Sequence, residues 1–128
     1  MIKGIHHVCL KCNQSEVEKV KGFYHELLEL PVVRQWGKPE LKGVMFDTGS
    51  GIVEVFTDAE EQLPQGAVRH FSLETDNVDE CIRRVREAGY KVTVEPKDVV
   101  IPSEVPFALR VAFCTGPLGE EIEFLQEK

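Results

Sequence analysis

His7-Val8-Cys9-Leu10-Lys11 and, 63 positions later, His70-Phe71-Ser72-Leu73-Glu74 open two halves of one chain in the same way. Each is a short run with apolar residues at every second place, the period of a strand with one buried face. Each then meets a helix start. Ser15 and Glu18 make a capping box ahead of Val17, Val20, Tyr24, Leu27 and Leu28 at helical spacing. Asn77 and Glu80 make the equivalent box ahead of Val78, Cys81, Ile82 and Val85, with Gly89 as the stop.

The correspondence continues beyond the helices. Leu30-Pro31-Val32-Val33 and Tyr90-Lys91-Val92-Thr93-Val94 are extended runs, and each is followed by a hairpin. Val44 to Asp47 turns through Thr48-Gly49-Ser50-Gly51 into Ile52 to Phe56. Arg110 to Cys114 turns through Thr115-Gly116-Pro117-Leu118-Gly119 into Ile122 to Leu125. Leu63-Pro64-Gln65-Gly66 reads as the link. Each half is therefore strand, helix and three strands, and the predicted architecture is α+β: two tandem βαβββ modules, about 1–62 and 67–128, in one domain of 1–128.

Composition narrows the function classes. The 128 residues carry 15 Lys+Arg against 22 Asp+Glu, a net charge of −7, and 42% are hydrophobic. That share supports a packed core, and the acidic balance with no basic run beyond Arg83-Arg84 argues against a nucleic-acid partner. No stretch has the length of an apolar membrane span, and the opening MIKGIHHV lacks a signal-peptide core, so the expected compartment is the cytoplasm. Cys9, Cys12, Cys81 and Cys114 are too few and too scattered for a disulfide scaffold, and the CLKC pattern at Cys9 and Cys12 has no second pair to complete a thiolate zinc site.

Strand parity sorts the polar residues. His7, Cys9 and Lys11 share one face and Val8 and Leu10 the other, so His7, not His6, is the counterpart of His70. Glu54 between Val53 and Val55, and Glu123 between Ile122 and Phe124, are lone carboxylates facing away from an apolar layer. Singly, such residues read as solvated surface. Together, two His and two Glu at equivalent positions of a duplicated unit are a donor set that borderline divalent metals accept.

The opening GIHHVCL, the helix segment KGFYHELLEL, the mid-chain GIVEVF, the second-module RHFSLETDNVDE and the closing GPLGEEIEFLQ resemble the vicinal oxygen chelate superfamily of glyoxalases, bleomycin resistance proteins and extradiol dioxygenases. The resemblance covers nearly the whole chain. It implies paired βαβββ modules whose curved mixed sheets, with helices on the flanks, form a cup around one divalent transition metal. It places the ligands on His7, Glu54, His70 and Glu123. A His/Glu/His/Glu set is similar to that of glyoxalase I, the lactoylglutathione lyase, with Ni²⁺ or Zn²⁺ ahead of Co²⁺, Fe²⁺ or Mn²⁺. Lys11 stands where bacterial glyoxalase I has an Arg that helps hold glutathione, so a different small oxygen-rich substrate is an open alternative.

The implied activity is a metal-dependent lyase or isomerase acting on a small carbonyl substrate, such as a thiol–methylglyoxal hemithioacetal, through an enediolate, with Glu54 and Glu123 as candidate bases. Alternatives are an acyl-CoA epimerase, an extradiol dioxygenase or a non-catalytic binding protein. Lys11, Trp36 and Arg110 are candidate substrate contacts. Trp36 is expected in a loop, and Glu95 to Phe107, with its three prolines, is the expected long loop or lid. A homodimer is expected because eight strands in two short sheets leave edges to cover.

Overall fold

A computed structural model describes residue 1, residues 3–61 and residues 63–128. The chain divides into two compact units, Met1–Pro64 and Gln65–Lys128, and each is a βαβββ module with a four-stranded mixed sheet. The α+β architecture of tandem modules expected from the repeat is present.

In the first unit β1 (His7–Lys11) leads through a 3-10 turn (Gln14–Glu16) into α1 (Val17–Lys21), which continues as a π-helical stretch (Gly22–Leu27). Strands β2 (Val32–Trp36), β3 (Gly43–Asp47) and β4 (Ile52–Phe56) follow, in sheet order β1-β4-β3-β2, with β1 parallel to β4. The helix begins earlier than the sequence suggests. Asn13 is the cap, with Glu16 returning to the Asn13 N–H at 3.2 Å, and Ser15 only donates to the Asn13 side chain at 2.5 Å. The pattern S-x-x-E is met by residues two positions too late, because two capping registers overlap within six residues.

Helix and sheet bury complementary faces. Val20, Phe23 and Tyr24 are buried, as are Val44, Phe46, Val53 and Val55. Tyr24 stacks on Phe46 at 5.6 Å and meets Phe23 edge to face at 5.0 Å. Burial of each such side chain is worth about 1.5–3 kcal/mol, which is what fixes the helix on one side of the sheet and leaves the other for polar residues.

In the second unit β5 (Phe71–Glu74), α2 (Val78–Glu87), β6 (Val92–Ile101), β7 (Phe107–Thr115) and β8 (Glu121–Glu127) give sheet order β5-β8-β7-β6, with β5 parallel to β8. Asn77 caps α2 by accepting from the Glu80 N–H at 3.0 Å. Val78, Ile82 and Val85 are buried, as are Ala112, Cys114, Ile122 and Phe124.

The stretch Glu95 to Phe107 departs from expectation. It is strand as far as Ile101, paired with β7 from Lys97 onward, and only residues 102–106 connect the two. The register shifts between Val92 and Val94 and again between Val94 and Lys97. Pro96 falls in the second shift, where its missing N–H disturbs no ladder bond. Trp36, expected in a loop, is likewise the last residue of β2. Among the described residues no helix is long and apolar enough to cross a membrane.

Candidate functional site

The parallel pairing of first and last strands decides which polar residues meet. In the first unit Cys9 lies opposite Glu54, and His7 stands two residues before it. In the second, Ser72 lies opposite Glu123, and His70 stands two residues before it. The same offset in both units carries each imidazole diagonally to its carboxylate. His7 Nε2 is 3.7 Å from Glu54 Oε1, and His70 Nε2 is 3.5 Å from Glu123 Oε2. Each pair combines a half-exposed imidazole, 41% in both cases, with a carboxylate only 8% or 14% exposed.

Parity along β1 is visible in the burial: His7, Cys9 and Lys11 are exposed, while Val8 and Leu10 are half-buried. His6 precedes the strand and faces His7, with the two Nδ1 atoms 2.9 Å apart and the rings edge to face at 5.2 Å. One ring donates and the other accepts, so His6 holds the His7 ring while its Nε2 is directed at Glu54. Sequence reasoning gave His6 no role, since an adjacent residue on an alternating strand should point away. Here the strand starts at His7, and alternation does not govern the residue before it.

The Cys9 thiol is pushed up from its ordinary value, first by burial and then by the Glu54 carboxylate beside it. It is consequently a poor nucleophile. Lys11 is on the same face and pairs with Asp58 at 3.3 Å. In the second unit Phe113, opposite Glu123, meets the His70 ring edge to face at 5.3 Å and 84°, walling that imidazole.

Arg110 is elsewhere. It alternates with Phe113's row along β7 and sits toward α2, donating to Asp79 at 2.6 and 2.7 Å and to Asp98 at 3.1 Å. These two carboxylates commit the guanidinium, and Arg110 in turn holds the Asp79 carboxyl below its usual range. Arg110, expected as a substrate contact, stands three residues from Phe113 along β7, an odd offset that puts it on the α2 side of the sheet and not on the face of Glu123.

All four cysteines are free thiols. Among the described residues no group of three or more His, Cys, Asp or Glu is arranged to hold a metal ion. What each unit offers is one His–Glu pair. With metal–ligand bonds of about 2.1 Å, two donors on a tetrahedral ion are about 3.4 Å apart. The observed 3.7 and 3.5 Å separations match that bite within a few tenths of an ångström. Each pair fits half of a four-ligand site, and neither suffices for a whole one.

The sequence profile of the Glyoxalase/Bleomycin resistance protein/Dioxygenase superfamily matches residues 4–124. No curated protein matches the chain. Solved structures with this fold include a glyoxalase family protein from Enterococcus faecalis, 24% identical over 96% of this chain and 97% of that one, TM-score 0.68. A lactoylglutathione lyase from Agrobacterium tumefaciens is 21% identical over 98% and 95%, TM-score 0.65. A glyoxalase/bleomycin resistance protein/dioxygenase from Alicyclobacillus acidocaldarius is 13% identical over 98% and 92%, TM-score 0.67. At these identities the likeness is one of fold.

Proposed function

Since the chain belongs to the Glyoxalase/Bleomycin resistance protein/Dioxygenase superfamily, we propose that it is a metal-dependent lyase or isomerase whose single divalent ion is held by His7, Glu54, His70 and Glu123. The observation that carries the reading is the repeated geometry: each module, independently, brings one imidazole and one sheltered carboxylate to a metal-ligand bite. Two neutral imidazoles and two carboxylates balance a dication, and Ni²⁺ and Zn²⁺ suit the mixed N/O set, as do Co²⁺, Fe²⁺ and Mn²⁺.

When bound, such an ion polarises a carbonyl and acidifies the carbon beside it. The chain's own residues do the rest. His6 and Phe113 orient the two imidazoles. Glu54 and Glu123 are the proton carriers, and their low exposure keeps bulk water from competing for the proton. The first substrate to assay is a thiol–methylglyoxal hemithioacetal, as for glyoxalase I, with epimerisation of an acyl thioester and ring-opening oxygenation of a catechol as the competing chemistries of the superfamily. Cytoplasmic location and a homodimer complete the proposal, the latter because β1, β2, β5 and β6 are sheet edges.

The test is exchange of the substrate α-proton for deuterium, with glutathione and other thiols, in protein loaded with Ni²⁺ or Zn²⁺. The expected result is exchange that stops in Glu54→Gln or Glu123→Gln even when the metal concentration is raised until the weakened site is filled. A metallated protein that exchanges no proton in any adduct or thioester is not an isomerase, and one that binds no metal is a small-molecule binder of the same fold.

A further inference from the structure

The sheet of the first unit also bears on the non-reacting end of the substrate. On the face that carries His7 and Glu54, pairing aligns Cys9, Glu54, Met45 and Arg34 in one row and Lys11, Phe56, Gly43 and Trp36 in the next. The rows are roughly 7 Å apart along the strands, and Arg34 lies two strands, roughly 10 Å, from Glu54. Trp36 and Phe56 meet edge to face at 5.8 Å and 78°, yet 37% and 36% of their surfaces stay open. Adjoining exposed aromatics on a sheet face are ligand-wall material.

Gly43 explains how the indole lies. A Cβ there would collide with Trp36 Cζ2, Cε2 and Cη2, so the ring rests on bare backbone. Glycine weakens a strand interior, and close approach of this kind is what it provides in return. The backbone that carries Trp36 is also tied down. Lys42 N–H donates to Trp36 O at 2.8 Å and Thr57 N–H to Lys42 O at 3.1 Å, while Gln14 reaches both Leu41 O and the buried Thr57 hydroxyl. Arg34, one alternation from Trp36, is exposed, and its side chain has no hydrogen-bond or ion-pair partner among the described residues. Lys11, in contrast, is taken by Asp58.

We propose that Trp36, Phe56 and Arg34 form the specificity subsite, the two rings taking an aromatic group and the guanidinium a carboxylate, so that the substrate class is an aryl-substituted carboxylic acid or its adduct. Arg supplies a planar fork for the carboxylate, and the roughly 7 Å between the two rows suits a ring and a carboxylate joined by a short chain. The inference rests on the reading that the His7–Glu54 face receives the substrate, and it does not require metal.

Trp36 is the only tryptophan, so its fluorescence reports this subsite alone. Full-length protein freed of metal by EDTA is titrated with 3-phenyllactate, with lactate, which lacks the ring, and with 2-phenylethanol, which lacks the carboxylate. The expected result is saturable binding of 3-phenyllactate at least about tenfold tighter than either control. Arg34→Gln should remove that advantage without altering 2-phenylethanol binding, and Phe56→Leu should weaken both ring-bearing probes. Arg34 is exposed, so its variant keeps the fold, as circular dichroism will verify. Equal titration by all three probes, or unchanged 3-phenyllactate binding in Arg34→Gln, overturns the proposal. The same titration in a Glu54→Gln/Glu123→Gln double variant separates the two readings: selectivity that persists there upholds the subsite even if the parent protein proves to bind no metal.

Discussion

Replacing Glu54 by Gln keeps shape and hydrogen-bonding capacity but removes the charge that faces His7 Nε2 at 3.7 Å. Residues that only orient ligands typically contribute about 10–100-fold to metal affinity. Loss of a direct anionic ligand should therefore exceed about 100-fold, or roughly 2.7 kcal/mol. Glu123→Gln should cost a comparable amount, because the second pair has the same offset and a 3.5 Å separation. His6→Ala should fall in the smaller range, since His6 touches the other nitrogen of His7 at 2.9 Å. The assay is competition with a chromophoric chelator for Zn²⁺ and Ni²⁺ at neutral pH, with stoichiometry from elemental mass spectrometry. One ion per His/Glu/His/Glu set is expected. Wild-type affinity in both glutamate variants would refute the ligand assignment, and two independent ions, one lost with each pair, would refute the shared centre.

Iodoacetamide should label Cys9 ahead of buried Cys12 and of Cys114, whose thiol burial pushes up to about 12; Glu54→Gln should speed Cys9 labelling severalfold by removing the neighbouring charge, and an unchanged rate would count against that contact. Glu80 should titrate near 2 rather than 4.5, because Arg83 and then Arg84 hydrogen-bond its carboxylate. Its folded pKa is depressed, so its contribution to stability is present above about pH 4.5 and is lost as the pH falls toward 2; an ordinary titration by carboxyl NMR would remove this contribution. Phe46→Ala should destabilise by about 3–5 kcal/mol in denaturant unfolding, since the ring is fully buried and stacked on Tyr24, and a loss under 1 kcal/mol would contradict the core described.

The repeat itself was legible because a strand's two-residue period and a helix's 3.6-residue period are local properties, and both halves carry them in the same order. The same locality identified the faces of His7 and His70, and with them the four candidate ligands. Capping was read less well, since Asn13 and Ser15 both satisfy a box and only packing of Val17 and Val20 selects between them. Register is different in kind. The pairing of Cys9 with Glu54 and Ser72 with Glu123 joins residues 45 and 51 positions apart in sequence, and no local pattern sets it. The bulges around Val94 and Pro96 turned an apparent loop into strand, and the one between Val32 and Arg34 hid the alternation that aligns Arg34 and Trp36 with Glu54's face. Arg110 shows the converse: a cation that suits a substrate by type is claimed by Asp79 and Asp98 once α2 lies against β7. Side-chain type and period are fixed by the covalent chain, whereas the neighbour of each polar group depends on how strands align across dozens of residues.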